Sequence, residues 1–497
     1  MNAKPPQAAA WSVKLGSGIE LTVPAATRSL TTYVLMEQER WFEPEMSLLP
    51  HLLKPGMHAL DIGANHGVYA LEIARCTGSG RVWAFEPTSA PRSRLLRSVQ
   101  HNGMQDRVVV VAAALAEHEG RADFSVHENS ELNSREGAGA ARESVRLRTL
   151  DNYLRRHAAG VEIGFVKLDA EGDELRVLAG ARDFFAAQSP VVMFEFKHGR
   201  AVNFALLDAW RELGFEIFRW SAELDLLLPF DAGSGETAFA LNLFAVRPAG
   251  QRELADAGLL VTMQDLASEP PVDVAALPLE SMQAWLAQPA MQGIAPDVAG
   301  GGELYERLLR SVAAVHFDAA LRPAQRAALM IAVREDMLAA AEGGARLGPA
   351  AWSMLVHASQ ALGAQNASVQ LAGQLLARWP KDVEIDLPFV PPQRADLARA
   401  RSTASASWLR QMLAEHIELH AAHSSYFMPP QPQRLAALLQ HPDHSAEMER
   451  RYLLAHLRND SAAPLHAVTL LPAAQHTCNP RLWRGLIDAM RVQPVAA

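Results

Sequence analysis

The segment Leu60-Asp61-Ile62-Gly63-Ala64-Asn65-His66-Gly67 lies between a short apolar run, residues 58–62, and a stretch with helical spacing of apolar residues, 68–74. Glycines at a strand-to-helix turn let the backbone approach a ligand, and the exposed N–H groups of the helix start attract its anionic part. The pattern therefore predicts a site for a nucleotide-like ligand. The residues of this turn that we expect to bind it are Asp61, Gly63, Asn65 and Gly67.

A second ligand contact is expected one βαβ step further along the chain. Residues 81–85 form another apolar run, and Glu86 follows it directly. A carboxylate at this strand end can accept hydrogen bonds from both hydroxyls of a ribose. Each feature alone has a structural explanation, since glycine turns also serve close packing and acidic strand ends are often solvated. Their order and spacing favour the ligand site.

Short apolar runs alternate with helical stretches through the first half of the chain, which is typical of a parallel α/β sheet. Two late strands are joined without a helical crossover, so we expect them to pair antiparallel. Further strands are predicted at 108–113, 163–168 and 191–196, insertion strands at 122–127 and 144–148, and the late pair at 215–220 and 238–246.

Three segments are predicted along the chain. Residues 1–55 contain a hairpin near 11–24 and one amphipathic helix, 34–53, which together form a lid; 56–262 form the ligand-binding domain; 275–497 form a helical domain. Prolines in 387–393 predict a break into two helical halves. Four tryptophans at helical spacing are expected in the helical core, namely Trp352, Trp379, Trp408 and Trp483. The predicted fold class is therefore α/β, with a doubly wound, mostly parallel sheet that ends in an antiparallel pair, followed by an all-α domain.

Composition argues against several classes of partner. The 497 residues include 46 basic and 55 acidic side chains, a formal net charge of -9, so nucleic acid is not an expected ligand. Two cysteines, Cys76 and Cys478, are too few for a disulfide framework and fit a reducing cytoplasm. We find neither a secretory signal nor an apolar run that is long enough to span a bilayer. We expect a soluble cytoplasmic protein without a membrane span.

Further motifs accompany the glycine turn. They are Phe85-Glu86-Pro87, Asn102-Gly103, Ala114-Leu115 with Gly120, Thr149-Leu150-Asp151, the block 166–174, Leu178-Ala179-Gly180-Ala181 and Glu195. Over about residues 30 to 250, this set resembles the FkbM family of methyltransferases, and Lys-x-Asp-x-Glu-Gly at 167–172 is its most family-specific part. The resemblance implies a class I methyltransferase fold with S-adenosylmethionine as cofactor. It also implies methyl transfer to a hydroxyl, commonly on a sugar, a glycan or a polyketide-like acceptor.

The resemblance extends the expected cofactor contacts. The carboxylate of the methionine moiety would lie at the backbone amides near Asn65, and the ribose at Glu86. Ala114 and Asn133 are the two further cofactor-binding candidates. Asn133 belongs to the loop 128–139, which resembles a serine-containing insertion of the family. This loop either closes over the site or is a plain surface loop.

Methyl transfer to oxygen requires that the proton of the acceptor hydroxyl be removed. The candidate catalytic residues are Asp169, Glu195 and His198, and Asp169 comes first because the fourth strand delivers it to the ligand edge of the sheet. His66 is a further candidate, although a lone histidine in a loop is usually solvated.

The role of Glu171 is open between two alternatives. It either points with Lys167 and Asp169 toward the ligand edge or caps the following helix. The carboxylates of Asp169, Glu171 and Glu195 are also ligands that magnesium prefers. A magnesium-assisted reaction therefore remains an alternative to the metal-free site that we favour.

Two other functions compete with methyl transfer. A nicotinamide-dependent oxidoreductase shares the glycine turn and the acidic strand end, but Gly63-x-x-x-Gly67 lacks the closer glycine pair that admits a pyrophosphate. Alternatively, the helical half makes the chain a scaffold that binds a protein partner, with an inactive methyltransferase-like domain. The intact Gly63, Asn65, Gly67 and Glu86 favour an active site.

Overall fold

A computed structural model describes residues 9–127, 130, 133, 141–198, 201–233, 237, 240–295, 298–345, 347–380, 382–420, 432–458 and 477–492. The strands are β1 (Ala10–Lys14), β2 (Glu20–Pro24), β3 (His58–Ile62), β4 (Val82–Phe85), β5 (Val108–Val111), β6 (Ala114–Leu115), β7 (Gly120–Val126), β8 (Ala141–Arg148), β9 (Ile163–Leu168), β10 (Val191–Glu195), β11 (Lys197–His198), β12 (Ala201–Val202), β13 (Glu216–Ser221), β14 (Leu226–Pro229) and β15 (Asn242–Val246). The helices are α1 (Leu30–Gln38), α2 (Leu49–Leu52), α3 (Val68–Thr77), α4 (Ser89–His101), α5 (Leu150–His157), α6 (Glu174–Ala179), α7 (Arg182–Ala187), α8 (Phe204–Glu212), α9 (Pro248–Asp256), α10 (Met263–Ser268), α11 (Leu279–Leu286), α12 (Glu303–Phe317), α13 (Pro323–Glu342), α14 (Pro349–Ala361), α15 (Gln365–Arg378), α16 (Ser405–His420), α17 (Pro432–Leu438), α18 (Ala446–Arg458) and α19 (Pro480–Val492).

The chain divides into two units, and neither is continuous in sequence. The first consists of Met1–Arg219, Ala240–Glu253 and Glu449–Ala497, and the second of Trp220–Phe239 and Leu254–Met448. These limits differ from the predicted segments, because residues from 449 onward group with the first unit. The physical reason is a buried ion pair between Arg451 and Glu37.

Seven strands of the first unit form one sheet in the order β5-β4-β3-β9-β10-β15-β13. Strands β5, β4, β3, β9 and β10 are parallel to their neighbours, whereas β15 is antiparallel to both β10 and β13. The predicted fold class, with its doubly wound sheet and its antiparallel pair at the end, is confirmed. The strand order reverses beside β3, and such a reversal opens a crevice at the carboxyl ends of the strands.

The strands of the sheet centre are apolar on both faces, which is why they appear in sequence as continuous apolar runs. All four residues of β4 are buried, as are the last four of β3. The predicted insertion strands correspond to β7 and β8, which pair antiparallel. The strand predicted at 238–246 begins at Asn242, and residues 238–239 lie outside the described ranges.

The N-terminal part of the first unit begins with the predicted hairpin, in which β1 and β2 pair antiparallel. The prediction of one helix over 34–53 is wrong. Helix α1 ends at Gln38 because Glu39 adopts a left-handed conformation with φ of 57°, and a short 3-10 helix, Pro44–Ser47, precedes α2. Residues 40–43, which have no helical structure, therefore separate the helices.

The second unit is mostly helical, and its helices α11 to α16 each pack against the next one along the chain. Trp285 and Trp408 are fully buried in its core, and Trp379 is nearly so, while Trp352 is half-buried. Residues on both sides of the proline-rich segment 387–393 share one hydrophobic core, so the break in helical structure does not divide it. Among the described residues, no helix has the length and apolar character needed to cross a membrane.

Candidate active site

A cleft with an empty volume of about 930 Å³, measured out to its mouth, opens at the carboxyl ends of β3, β4 and β9. The cleft is lined by the glycine turn and by residues from the ends of the neighbouring strands. Trp41 and Glu43, which lie between α1 and the 3-10 helix Pro44–Ser47, also line it. The crevice therefore lies at the strand reversal, where ligands bind in open α/β sheets.

The glycine turn has a packing requirement of its own. Gly63 has φ of 85°, and a Cβ there would lie 1.7 Å from the carbonyl oxygen of Asp169. Gly67 has φ of 92°, and its Cβ would meet the Leu95 side chain at 2.3 Å. Glycine at position 63 thus allows the ends of β3 and β9 to approach each other, and Asp169 N donates to Ile62 O at 3.0 Å.

The Glu86 side chain faces the glycine turn. One carboxylate oxygen accepts a hydrogen bond from the Asn65 backbone N–H at 3.0 Å, and the other accepts from the N–H and the hydroxyl of Thr88. Burial raises the pKa of Glu86 to about 7, against the lowering effect of the Thr88 and Asn65 donors. The Asn65 backbone amide, predicted to bind the carboxylate of the cofactor, therefore donates to Glu86, which is predicted to bind the ribose.

His66 is fully buried, in contrast to the solvated position expected for a lone loop histidine. Its Nε2 lies 3.0 Å from Ser130 Oγ, whose hydrogen is donated to Asn65 Oδ1 at 2.7 Å. Ser130 must therefore accept from Nε2, which leaves His66 Nδ1 unprotonated and without a hydrogen-bond partner in the described part of the chain. Burial lowers the pKa of His66 to about 3, so the neutral ring is a poor proton acceptor.

Ala114 and Asn133 both line the cleft. Asn133 accepts from His127 N at 2.7 Å and donates to Thr88 Oγ1 at 3.3 Å, which links it to the residue that binds Glu86. Ser130 and Asn133 are the described residues of the loop predicted at 128–139, and its other residues lie outside the described ranges.

Lys167 is the cation at the centre of the cleft. Its side chain is buried, its Nζ lies 2.7 Å from Asp169 Oδ2, and it stands 4.7 Å above the centre of the Tyr69 ring. Burial lowers the pKa of Lys167, but the carboxylates of Asp169 and Asp61 outweigh this effect and raise the pKa above its ordinary value. Lys167 is therefore a permanent cation and holds the Asp169 carboxylate in place.

Asp61, the second-to-last residue of β3, is completely buried. Neither of its carboxylate oxygens has a well-aligned hydrogen-bond partner among the described residues, although it lines the cleft. Burial raises its pKa to about 6, and Lys167 only partly opposes this effect. Because buried carboxylates are normally satisfied, Asp61 is suited to receive a donor from a ligand.

Sequence reasoning missed a further carboxylate of the cleft, that of Glu43. Glu43 accepts a hydrogen bond from the Tyr69 hydroxyl, and burial raises its pKa while Lys167 lowers it. Its neighbour Glu45 is also buried, with a pKa raised to about 8 by burial and by Glu43. The signal was the segment Trp41-Phe42-Glu43-Pro44-Glu45, in which two carboxylates alternate with apolar residues just before the first strand of the sheet.

The predicted catalytic residues lie at different places. Asp169 lines the cleft, whereas Glu195 is not among the residues that line it. The side chain of His198, in β11, lies outside the described residues. Glu171 lines the cleft with φ of 53°, and the turn before α6 is closed by Glu174, which accepts from the N–H groups of Ala170 and Gly172.

Three carboxylates approach one another beside this turn. Ligand oxygens of Asp169, Glu174 and Glu195 lie within 4.8 Å of each other, so Glu174 takes the place that Glu171 had in the predicted cluster. Asp169 already accepts from Lys167, and Glu174 from two backbone amides. Asp169 and Glu174 are therefore each held in place by protein donors.

Part of the first unit matches a known protein family. Residues 61–217 match the model of the methyltransferase FkbM domain. The AMB antimetabolite synthetase AmbE of Pseudomonas aeruginosa is 27% identical in an alignment 289 residues long, which covers 48% of this chain and 13% of that protein. The chain thus spans about an eighth of the length of this relative.

Solved structures with some likeness include the methyltransferase FkbM of Methylobacillus flagellatus KT, which is 17% identical with a TM-score of 0.27 over 41% of this chain and 50% of that one. A SAM-dependent methyltransferase of Aquifex aeolicus is 13% identical with a TM-score of 0.26 over 44% of this chain and 97% of that one. These scores are too low to bear on function. The sheet order and the family match agree, however, and residues 61–217 form a methyltransferase domain of the FkbM family.

Proposed function

We propose that the first unit transfers a methyl group from S-adenosylmethionine to a hydroxyl oxygen of a sugar, a glycan or a polyketide-like acceptor. The observation that supports this proposal most is the pair of carboxylates on the cleft wall. Glu86 faces the glycine turn, and the fully buried Asp61 has no well-aligned partner among the described residues. Both groups are suited to hydroxyl and ammonium donors of a small molecule.

The charge of the cleft favours this cofactor over a dinucleotide. Around Lys167 stand three carboxylates, Glu43, Asp61 and Asp169. S-adenosylmethionine carries a sulfonium and an ammonium group, whereas a nicotinamide dinucleotide carries an anionic pyrophosphate. A buried site with more acidic than basic groups attracts the cation and opposes the diphosphate.

Individual residues have separate roles in the proposed complex. Glu86 would hold the ribose hydroxyls, Asp61 the ammonium group and Lys167 the carboxylate of the methionine moiety. Gly63, Gly67, Ala114 and Asn133 would form the walls of the cofactor site. When bound, S-adenosylmethionine supplies a methyl group on a positively charged sulfur.

Asp169 is the proposed proton acceptor for the acceptor hydroxyl. It lies at the carboxyl end of β9, lines the cleft, and is held by the 2.7 Å hydrogen bond from Lys167. A fixed carboxylate can orient a hydroxyl and take its proton as the oxygen attacks. His66 is unsuited to this role because its pKa is lowered to about 3. Glu195 and His198 are the two further residues for which we propose a catalytic role. This scheme does not require a magnesium ion.

The class of acceptor rests on the family resemblance and on one partial similarity. The matching relative is an antimetabolite synthetase, and the match covers 13% of its length. A small biosynthetic molecule is therefore favoured over a macromolecule as acceptor. The helical unit is proposed to help position this acceptor or to bind a protein partner.

Isothermal titration of the full chain tests the cofactor assignment. We expect S-adenosylmethionine and S-adenosylhomocysteine to bind and the nicotinamide cofactors not to bind. Glu86→Gln should weaken binding about tenfold to a hundredfold, because it removes one charged acceptor, while the exposed Glu280→Gln on α11 serves as control. A scaffold with an inactive domain would bind none of these cofactors, and preference for NADH would favour an oxidoreductase.

A further inference from the structure

The C-terminal residues of the first unit pack on its N-terminal helix. Arg451 of α18 and Glu37 of α1 are both 0% exposed, and Arg451 Nη1 lies 3.3 Å from Glu37 Oε1. A fully buried ion pair is costly to break, because removal of one partner leaves an uncompensated charge in the interior. This pair therefore fixes α18 against α1.

Neighbouring side chains of α18 add to this contact. Arg450 Nε donates to the backbone carbonyl oxygen of Glu37, which lies in the last turn of α1. The Arg458 guanidinium stands 5.4 Å above the centre of the Tyr33 ring. Carbonyl groups at a helix end have no partner within the helix, so the Arg450 side chain satisfies one of them.

A second anchor lies just before α19. The hydroxyl of Thr477 and the backbone N–H of Cys478 donate to Glu39 Oε1, and Glu39 is the left-handed residue that ends α1. Asn479 exchanges two hydrogen bonds with the backbone of Lys14, at 2.7 and 2.8 Å. The C-terminal residues thus hold both α1 and Glu39, the residue at which the chain turns after this helix.

The anchored helix leads directly to the cleft. Thr31 of α1 lines the cleft, and so do Trp41 and Glu43, which follow Glu39 by only a few residues. Glu43 in turn accepts the hydroxyl of Tyr69, on which Lys167 stacks. A change in the position of α1 is therefore transmitted to the carboxylate that faces Lys167.

We propose that residues 449–458 and 477–492 are a positioning segment of the methyltransferase site: Arg451, through Glu37, and Asn479, beside Glu39, hold α1 so that Glu43 lies against Tyr69 and Lys167. The effect on cofactor binding rests on the proposed function, whereas the effect on α1 does not. The residues that match the family, 61–217, would then contain only part of the site.

The test uses the full chain with the double variant Glu37→Ala/Arg451→Ala. It removes both side chains that join α18 to α1, so the packing contact is lost while neither charge is left unpaired. Hydrogen–deuterium exchange of peptides that cover residues 30–45 reports on α1, and titration with S-adenosylmethionine reports on the site. We expect exchange in 30–45 to accelerate about tenfold and cofactor affinity to fall about tenfold. Arg484→Gln, an exposed change on α19, should alter neither.

Unchanged exchange in 30–45 would overturn the proposal, and so would faster exchange with wild-type affinity for the cofactor. If the double variant does not fold, Asn479→Ala removes only the bonds to Lys14 and Glu39 and is judged by the same two measurements. A wild-type chain that binds no S-adenosylmethionine would contradict the proposed function, and the exchange data would still decide whether the C-terminal segment holds α1.

Discussion

Asp61 has opposite consequences for stability and for binding. Burial raises the folded-state pKa of Asp61 to about 6, above its ordinary value of 3.8, so the folded protein binds the proton more tightly than the unfolded chain. The contribution of this tighter proton binding to the free energy of unfolding is fully present below about pH 4 and is lost as pH rises through about 6. At neutral pH, Asp61 therefore destabilises the cofactor-free protein.

Asp61→Asn should accordingly raise the free energy of unfolding at pH 7.5 by about 1 to 3 kcal/mol, and this gain should vanish below pH 4. The same variant should bind S-adenosylmethionine at least tenfold more weakly, because it loses a charged acceptor. Urea denaturation across this pH range and titration calorimetry measure the two effects. Asp208→Asn, at an exposed position on α8, is the control. A variant that is less stable at pH 7.5 would contradict this account.

Gly63 is required by packing before any ligand is considered. Alanine at this position would adopt an unfavourable φ of 85° and place its Cβ 1.7 Å from the Asp169 carbonyl oxygen. We expect Gly63→Ala to destabilise the protein by about 3 kcal/mol or more. Gly485→Ala, in the exposed part of α19 with no atom near its Cβ, should be neutral or slightly stabilising. Equal stability of the two variants, measured by urea denaturation, would show that the turn can relax.

At the scale of elements, helices α12 and α14 meet through two histidines, of which His357 is buried and His316 is half-buried. His357 Nδ1 lies 3.1 Å from Pro391 O and donates to it, so His357 Nε2 must accept the hydrogen of His316 Nε2 at 2.8 Å. Burial lowers the pKa of both rings, to about 4 for His357 and well below 6.5 for His316. The pair is therefore neutral in the folded state.

Because the unfolded chain binds these protons more tightly, the stability of the second unit should fall as pH drops from 6.5 toward 4. The loss attributable to His357 is about 3 kcal/mol at most. His357→Gln should remove much of this dependence in urea denaturation followed by the signal of the buried Trp285, which stacks on His316. His118→Gln, at an exposed position, is the control. If the stability of the His357→Gln variant depends on pH as strongly as that of the wild type, the histidine pair is not the origin of this dependence.

The sequence predicted elements whose signal is local. Strand β3 with the glycine turn, the position of Glu86 and the antiparallel pairing of β13 with β15 all follow from short runs and connection lengths. The helix predicted at 34–53 failed because its periodicity continues through Glu39, and nothing in the pattern shows that Glu39 is left-handed. Glu43 was missed for the same reason, since its burial depends on contacts with Tyr69 and Lys167 that come from distant elements.

On the scale of the whole molecule, the path of the chain limits what periodicity can reveal. Arg450 and Glu37 are separated by 413 positions, and the next residue, Arg451, belongs to a type that is rarely buried in folded proteins. Only the folded chain shows that residues after 448 return to the unit that contains the cleft. Helical spacing alone therefore grouped them with the preceding helices.

Because the C-terminal residues pack in the first unit, shortening the chain from its C-terminus should affect the cofactor site. A protein that ends at Met448 keeps every residue of the family match but leaves Glu37 without Arg451 and Lys14 without Asn479. We expect it to lose measurable affinity for S-adenosylmethionine, and co-expression of residues 449–497 as a separate chain should restore binding at least in part. A chain that ends before α19, at residue 476, should show an intermediate loss, because it keeps the Arg451 pair. Wild-type affinity in the chain that ends at Met448 would mean that α1 holds its position without the C-terminal segment.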